Sequence, residues 1–383
     1  MWKIYLLAAI SFLIGTSEYV IAGILDVIAV SYNISVSSAG QLITVFSLSF
    51  GLGTPFLIAM TSRMDRKKLL IYALIVFSII NSLIAFVTGY EMLIAARIIS
   101  ALSAGVIQVT LLTLASVLAA PGKQGSAIAT VIMGGSSALV IGVPIGRVVA
   151  SNYDWTTIFI GLGVIGILFL VLTLFTIPKI VAEEPVPLSE QFKFFMQPRI
   201  SAYLLITFLW LGGYYVIFTY ISPYFLDIFG MNNQGVTTAL FIFGIAAAFG
   251  AKLGGFSTDK WGAFRTLTGG MILSAIALLL FPFIGHSAFL IYLLLILWGL
   301  SVWSAGAPIQ FQLISFAPAA ASIVLSLHSA LGQLGMSAGA GIGGISVKNG
   351  LLNYLPWVGV LVLTIAIVIA VIDNVLSKHK QTN

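Results

Sequence analysis

Glu18-Tyr19-Val20-Ile21 and, about 196 residues later, Tyr214-Tyr215-Val216-Ile217 occupy matching places in two copies of one pattern. The first string lies in the run 4–29, which apart from Asp26 near its end is otherwise hydrophobic or small and polar. At about 1.5 Å per helical residue, Glu18 stands roughly 21 Å from one end of that run and about 16 Å from the other. A charge at the centre of a bilayer costs about 2.5–3.5 kcal/mol even on insertion-based scales. An acid kept there points to function, foremost the carriage of a proton. A structural carboxyl, protonated or paired with an arginine, is the other reading.

Composition makes the bilayer the relevant solvent. The 383 residues are 60% hydrophobic and only 7% charged, far below the quarter typical of soluble domains, and mean hydropathy is +1.13. Cysteine is absent, which excludes disulfides, iron–sulfur clusters and zinc–thiolate sites. The first apolar run continues for about 26 residues without a small-residue cleavage site, so it reads as a membrane span rather than a signal peptide.

Twelve apolar runs are long enough to cross a bilayer. They fall near 4–29, 39–60, 69–88, 92–118, 126–150 and 156–177, then 200–222, 236–257, 266–284, 288–314, 321–345 and 356–376. They are continuously apolar rather than alternating, which favours helices over barrel strands. With the N-terminus inside, thirteen of the seventeen Lys and Arg lie on the cytoplasmic side, and only Arg147 and Lys348 approach the outer one. That asymmetry places both termini in the cytoplasm.

Residues 178–199, with four prolines and the acids Glu183, Glu184 and Glu190, form the one long polar segment. The expected organisation is a six-helix bundle over 1–177, a cytoplasmic linker over 178–199 and a second bundle over 200–383. A repeat of this period is a duplicated six-helix half, an arrangement of secondary transporters.

Several motifs carry a family resemblance over essentially the whole chain. Gly255-Phe-Ser-Thr-Asp259-Lys260-Trp-Gly262 has the glycine, acid and base of a cytoplasmic loop motif. Its first-half equivalent keeps Arg63 but has Ser62 for the usual acid and Asp65 for the usual glycine. Arg97, followed by Ser100, Ser103 and Gly105, resembles a fourth-helix arginine motif, and Gly142-Val-Pro144-Ile-Gly146 resembles a fifth-helix motif of exporters. Gly15-Thr-Ser-Glu18-Tyr-Val-Ile-Ala-Gly23-Ile-Leu resembles a segment bearing a coupling carboxylate, with Asp26 where a proline usually follows the leucine. Together these resemble the major facilitator superfamily, in particular its twelve-span drug:proton antiporters near the arabinose, purine-nucleoside and purine-base efflux proteins. The resemblance implies an all-α fold of two six-helix bundles, with Glu18 and Arg97 in proton coupling. It also implies conformational roles for Arg63, Gly142, Pro144, Gly146, Gly255, Asp259 and Gly262.

The residues add their own constraints. Arg97 is about five residues past the outer start of its span and can reach the depth of Glu18; it stays protonated and stabilises an ionised acid, in a coupling pair or a static one. Gln108, three turns beyond Arg97, shares its face. Gln41, Thr44 and Ser47 trace a stripe of the second span that can line a cavity or bond neighbouring helices. Tyr214, Tyr215, Tyr220, Trp298 and Trp303 offer aromatic faces for a flat ligand or for core packing. Gln310 lies in the tenth span; His328 in the eleventh can relay protons or bond a neighbouring hydroxyl. Asp26, Glu91, Asp154 and Asp227 fall at outer ends, where solvation is expected.

No GxxxxGK[ST] phosphate loop occurs and no loop is long enough for an ATPase domain, so transport would be secondary. The expected function is a proton-coupled exporter of small organic molecules, drugs or metabolites such as purine bases, nucleosides or sugars, by alternating access. Proton-coupled import is the alternative. A membrane enzyme or sensor is disfavoured: there is no HExxH, the histidines are scattered, and Glu18 is the only deep acid. No cofactor or metal beyond the coupling proton is expected. The expected partners are the lipid bilayer and a small-molecule substrate, with no nucleic acid, for a monomer in a bacterial cytoplasmic membrane.

Overall fold

Hydrocarbon offers no hydrogen bonds, so each spanning segment must satisfy its own backbone, and a helix does so. The computed structural model describes residues 2–120, 123–180 and 193–382; among them there is no strand. The central part of the expected linker, with Glu183, Glu184, Pro185, Pro187 and Glu190, lies outside the described residues.

The chain divides into two compact units, Met1–Pro185 and Val186–Asn383. The first holds α1 (Trp2–Gly23), α2 (Leu25–Ser31), α3 (Val36–Met60), α4 (Arg66–Leu83), α5 (Tyr90–Leu118), α6 (Gln124–Ser137), α7 (Val143–Asn152) and α8 (Thr156–Thr176). The second holds α9 (Pro198–Phe218), α10 (Asn233–Trp261), α11 (Ala263–Leu280), α12 (Ala288–Ser304), α13 (Gly306–Phe316), α14 (Ala321–Lys348) and α15 (Leu355–Thr382). Among the described residues, eleven helices are long and apolar enough to cross a membrane. The expected span 321–345 lies in α14, whose glycines, His328 and Gln333 dilute its hydropathy, and it is not one of the eleven.

The duplication is visible in lengths and packing. α4 and α11 are each 18 residues long and each runs into a three-residue 3-10 turn, Ile84–Phe86 and Phe281–Phe283. In the first unit α1 packs on α6, α3 on α5, and α4 on α5 and α8; in the second α9 packs on α14, α10 on α12, and α11 on α12 and α15. Trp2 and Pro198 start helices 196 residues apart, but Tyr90 and Ala288 start them 198 apart. The offset therefore drifts with loop length rather than staying constant.

Each copy breaks its first helix at the matching residue, Ile24 (φ −127°, ψ 19°) and Tyr220 (φ −108°, ψ 21°). The causes differ. Pro223 lacks an N–H and crowds the carbonyl four residues back, that of Thr219, which ends α9. The first copy has Asp26 near the corresponding place, with Arg147 of α7 against it. Arg147 is fully buried, and its Nη1 donates to Asp26 Oδ1 at 2.5 Å and to the Gly23 carbonyl at 3.1 Å. Asp26 keeps only 20% side-chain exposure. The expectation of a solvated Asp26 is thus corrected: the partner that buries it is 121 residues away, beyond the reach of local spacing.

Two other prolines shape helices in the same way. Pro144 follows a π-helical segment, Ala138–Gly142, between α6 and α7. Pro308 crowds the Ser304 carbonyl, where α12 stops before α13 resumes. The Gly142–Gly146 motif lies directly on α1: side chains at these two positions would collide with Thr16 and Val20. The exporter-type motif therefore lets the fifth-span helix approach the helix that carries Glu18.

The altered first-half loop also has a defined role. Asp65 caps α4, accepting from Lys68 N at 2.9 Å, and its second oxygen accepts from Ile180 N at 2.9 Å. Arg66 N donates to the Ile180 carbonyl at 3.0 Å, so both peptide groups of Ile180 are held. Lys67 Nζ donates to the Leu174 carbonyl at the end of α8.

Two measurements check this account. Asp65→Gly should free the Lys179–Ile180 bond and raise the rate of trypsin cleavage after the exposed Lys179 several-fold. Asp26→Asn leaves Arg147 buried without its counter-charge and should cost about 3 kcal/mol, read as a lower melting temperature in detergent. Asp26→Pro with Arg147→Leu should recover most of that loss, because proline suits the first turn of α2.

Candidate functional site

Glu18 lies on the buried face of α1 and is 9% exposed. Arg97, fully buried on α5, is within electrostatic reach of its carboxylate. The guanidinium donates through Nη1 to the Ser17 carbonyl at 3.0 Å and sits 4.2 Å from the centroid of the Phe46 ring. Phe159 is a second, more distant ring at 5.9 Å. Aromatic faces accept a weakly hydrated guanidinium more readily than an ammonium. Arg97 Nε and Nη2 have no hydrogen-bond partner among the described residues, so the cation keeps donors to spare beside the acid.

Hydrogen-bonded polar side chains adjoin Arg97 through Ser17 and Ser100. Ser17 Oγ donates to Asn81 Oδ1 at 3.3 Å, and Asn81 Nδ2 donates to Ser100 Oγ at 3.3 Å and to the Phe77 carbonyl at 2.7 Å. Ser100 lies three residues after Arg97 on α5, on the same face. Ser11 Oγ donates to Gln108 Oε1 at 3.1 Å, so Gln108 faces α1 from the same side of α5 as Arg97. Asn81, in the apolar helix α4, is the residue that the sequence reading missed; its signal was a lone amide inside a span. Gln41 of α3 is exposed, Thr44 is half-buried and Ser47 buried.

In the second unit the position matching Glu18 is the hub of an aromatic cluster. The Tyr214 ring lies 5.1 Å from Tyr215, 4.8 Å from Phe218, 5.6 Å from Trp298 and 6.1 Å from both Phe243 and Trp303. Trp298 is fully buried, and the indole N–H groups of Trp298 and Trp303 have no hydrogen-bond partner among the described residues. Four of the five aromatics singled out in the sequence therefore meet. The hydroxyl of Tyr220, the fifth, donates to the Ala340 carbonyl of α14 at 3.1 Å.

The other expected residues are dispersed. His328 Nδ1 is bonded to Thr207 Oγ1 at 2.9 Å, the hydroxyl partnership open to a membrane histidine. Gln310 is half-buried on α13. Arg63 and Asp259 are exposed and Gly255 is half-buried, and Gly262 takes φ 85° between α10 and α11, a conformation that favours glycine. No group of three His, Asp or Glu side chains that could hold a metal gathers among the described residues.

The comparisons with known proteins agree with this architecture. The pattern of the Major Facilitator Superfamily matches residues 7–340. An uncharacterised MFS-type transporter of Bacillus subtilis, YbcL, is 48% identical over 367 residues, covering 96% of this chain and 94% of the relative. The inner membrane transport protein YdhP of Escherichia coli K12 is 29% identical over 368 residues, with 95% and 93% coverage. Among solved structures, a bacterial homologue of the human lysosomal transporter Spinster, in an inward-facing unoccupied conformation, matches with a TM-score of 0.73 at 18% identity. That match covers 97% of this chain and 94% of the other and shows the fold. The family pattern, the relatives and the helical bundles converge: this chain belongs to the Major Facilitator Superfamily and is a transporter of the cell membrane.

Proposed function

We propose that the chain is a proton-coupled exporter of small organic molecules, with Glu18 as the proton carrier. The observation that carries this reading is the burial of Glu18 beside Arg97 in a span where a charge is costly. A static ion pair needs only matched charges. Here the arginine donates from Nη1 to a backbone carbonyl and keeps the N–H groups of Nε and Nη2, a geometry that can accept the acid in one protonation state and release it in the other.

The energetic source is the inward proton gradient, worth about 2.3 kcal/mol per proton for each 100 mV of membrane potential. A proton entering from outside binds Glu18 as substrate departs. The charge arithmetic is the same for import, so the export direction rests on the resemblance of Gly142–Pro144–Gly146 to the exporter motif. Twelve spans with both termini cytoplasmic, in bundles 1–177 and 200–383 joined by 178–199, complete the proposal. The chain acts as a monomer with no cofactor besides the proton. The aromatic cluster around Tyr214 favours planar substrates, because ring faces stack without demanding one hydrogen-bond pattern.

A panel of purine bases, nucleosides, sugars and aromatic dyes, tested on overexpressing and deletion cells, would identify the exported class. Everted vesicles then test the coupling. Glu18→Gln should abolish accumulation against a gradient after acidification of the lumen, while downhill exchange survives in part. Undiminished proton-driven accumulation in that variant would sink the assignment.

A further inference from the structure

Asn81 belongs to none of the motifs named above, yet it joins three helices of the first unit. It is fully buried, and its amide makes three hydrogen bonds. One, to Phe77, is within its own turn of helix. The other two join α4 to α1 through Ser17 and to α5 through Ser100. Ser17 is thereby held twice: Asn81 takes its hydroxyl hydrogen, and Arg97 donates to its carbonyl. Since Arg97 and Ser100 share a face of α5, the four residues Ser17, Asn81, Ser100 and Arg97 close a ring across three helices. Glu18 follows Ser17 directly. A rotation or slip of α1 that moved the carboxylate relative to the guanidinium would have to break this ring.

The surroundings leave few other controls on Glu18. α3, α6 and α8 contain no Asp, Glu, Lys, Arg or His. α7 contributes only Arg147, which is engaged with Asp26. On α5 the charged groups are Arg97 and, at the outer end, Glu91. α4 bears Arg66, Lys67 and Lys68 in its first turn, far from Asn81. Tyr19, the neighbour of Glu18 on α1, and Arg97 both lie within its electrostatic reach. The place of Arg97 there is tied to Ser17, whose carbonyl it holds.

We propose that Asn81 is a positioning residue: by holding the Ser17 hydroxyl it keeps the Ser17 carbonyl on Arg97, and so sets the pH at which Glu18 exchanges its proton. The inference rests on Glu18 being the proton carrier, and its test needs no substrate. The purified full-length chain in lipid vesicles is titrated while the carboxyl stretching band is followed by infrared spectroscopy; the part missing from Glu18→Gln reports Glu18. Asn81→Ala is expected to move the half-point of that band by about half a pH unit or more, equivalent to a roughly threefold change in proton affinity. Ser17→Ala removes the hydroxyl but spares the carbonyl, and should move the half-point in the same direction. An asparagine that merely packs the helices would lower the melting temperature and leave the half-point in place. An unmoved half-point in folded Asn81→Ala and Ser17→Ala overturns the proposal while Glu18 remains a proton site. If Asn81→Ala does not fold, Ser17→Ala decides alone. A Glu18→Gln spectrum identical to that of the native chain would overturn this role and the proton-carrier reading together.

Discussion

In a hydrocarbon medium, a backbone group released from its helix must be satisfied by the protein itself. That constraint explains where this fold bends and what lies beside each bend. Pro223 and Pro308 end helices through the missing N–H and the clash with the preceding turn, and Pro144 follows a π-helical turn. At Ile24 no proline is present, and the buried carbonyl of Gly23 beside the break is taken by Arg147, whose charge is balanced by Asp26. One copy of the duplicated helix thus breaks covalently, through a ring. The other breaks electrostatically, through a buried ion pair.

The same duplication separates two kinds of chemistry. The helices match in length, order and packing, yet Glu18 in the first copy corresponds to Tyr214 in the second. Around Glu18 the neighbours are an arginine, an asparagine and serines joined by hydrogen bonds. Around Tyr214 they are rings at 4.8–6.1 Å. The architecture needs neither set, since each copy folds without the other's. Charged and hydrogen-bonding side chains thus gather in one copy and ring contacts in the other.

Much of this was legible in the chain. Apolar runs of spanning length, the period near 196 and the depth of Glu18 are one-dimensional properties, and helix geometry converts them directly into position. Arg97 and Gln108 were legible for the same reason, because three turns of one helix return to one face. Asp26 was misread as solvated: its burial is created by Arg147 on another helix. Where a loop glycine is usual, Asp65 accepts from Ile180 N while its neighbour Arg66 donates to the Ile180 carbonyl, contacts that lie far apart in the chain. Asn81 was passed over because an isolated amide in a span has no local pattern to announce its partners.

By itself, the sequence determined the membrane as solvent, the helical class, the two-fold repeat and the place of the single deep acid, because hydropathy and period act along the chain. Only the tertiary structure decided which groups face that acid, what caps the break at Ile24 and which aromatics meet. Those outcomes depend on hydrogen bonds, ion pairs and ring contacts between residues up to 124 positions apart. Such contacts are directional and short-ranged, so helix packing, rather than spacing in the chain, selects them.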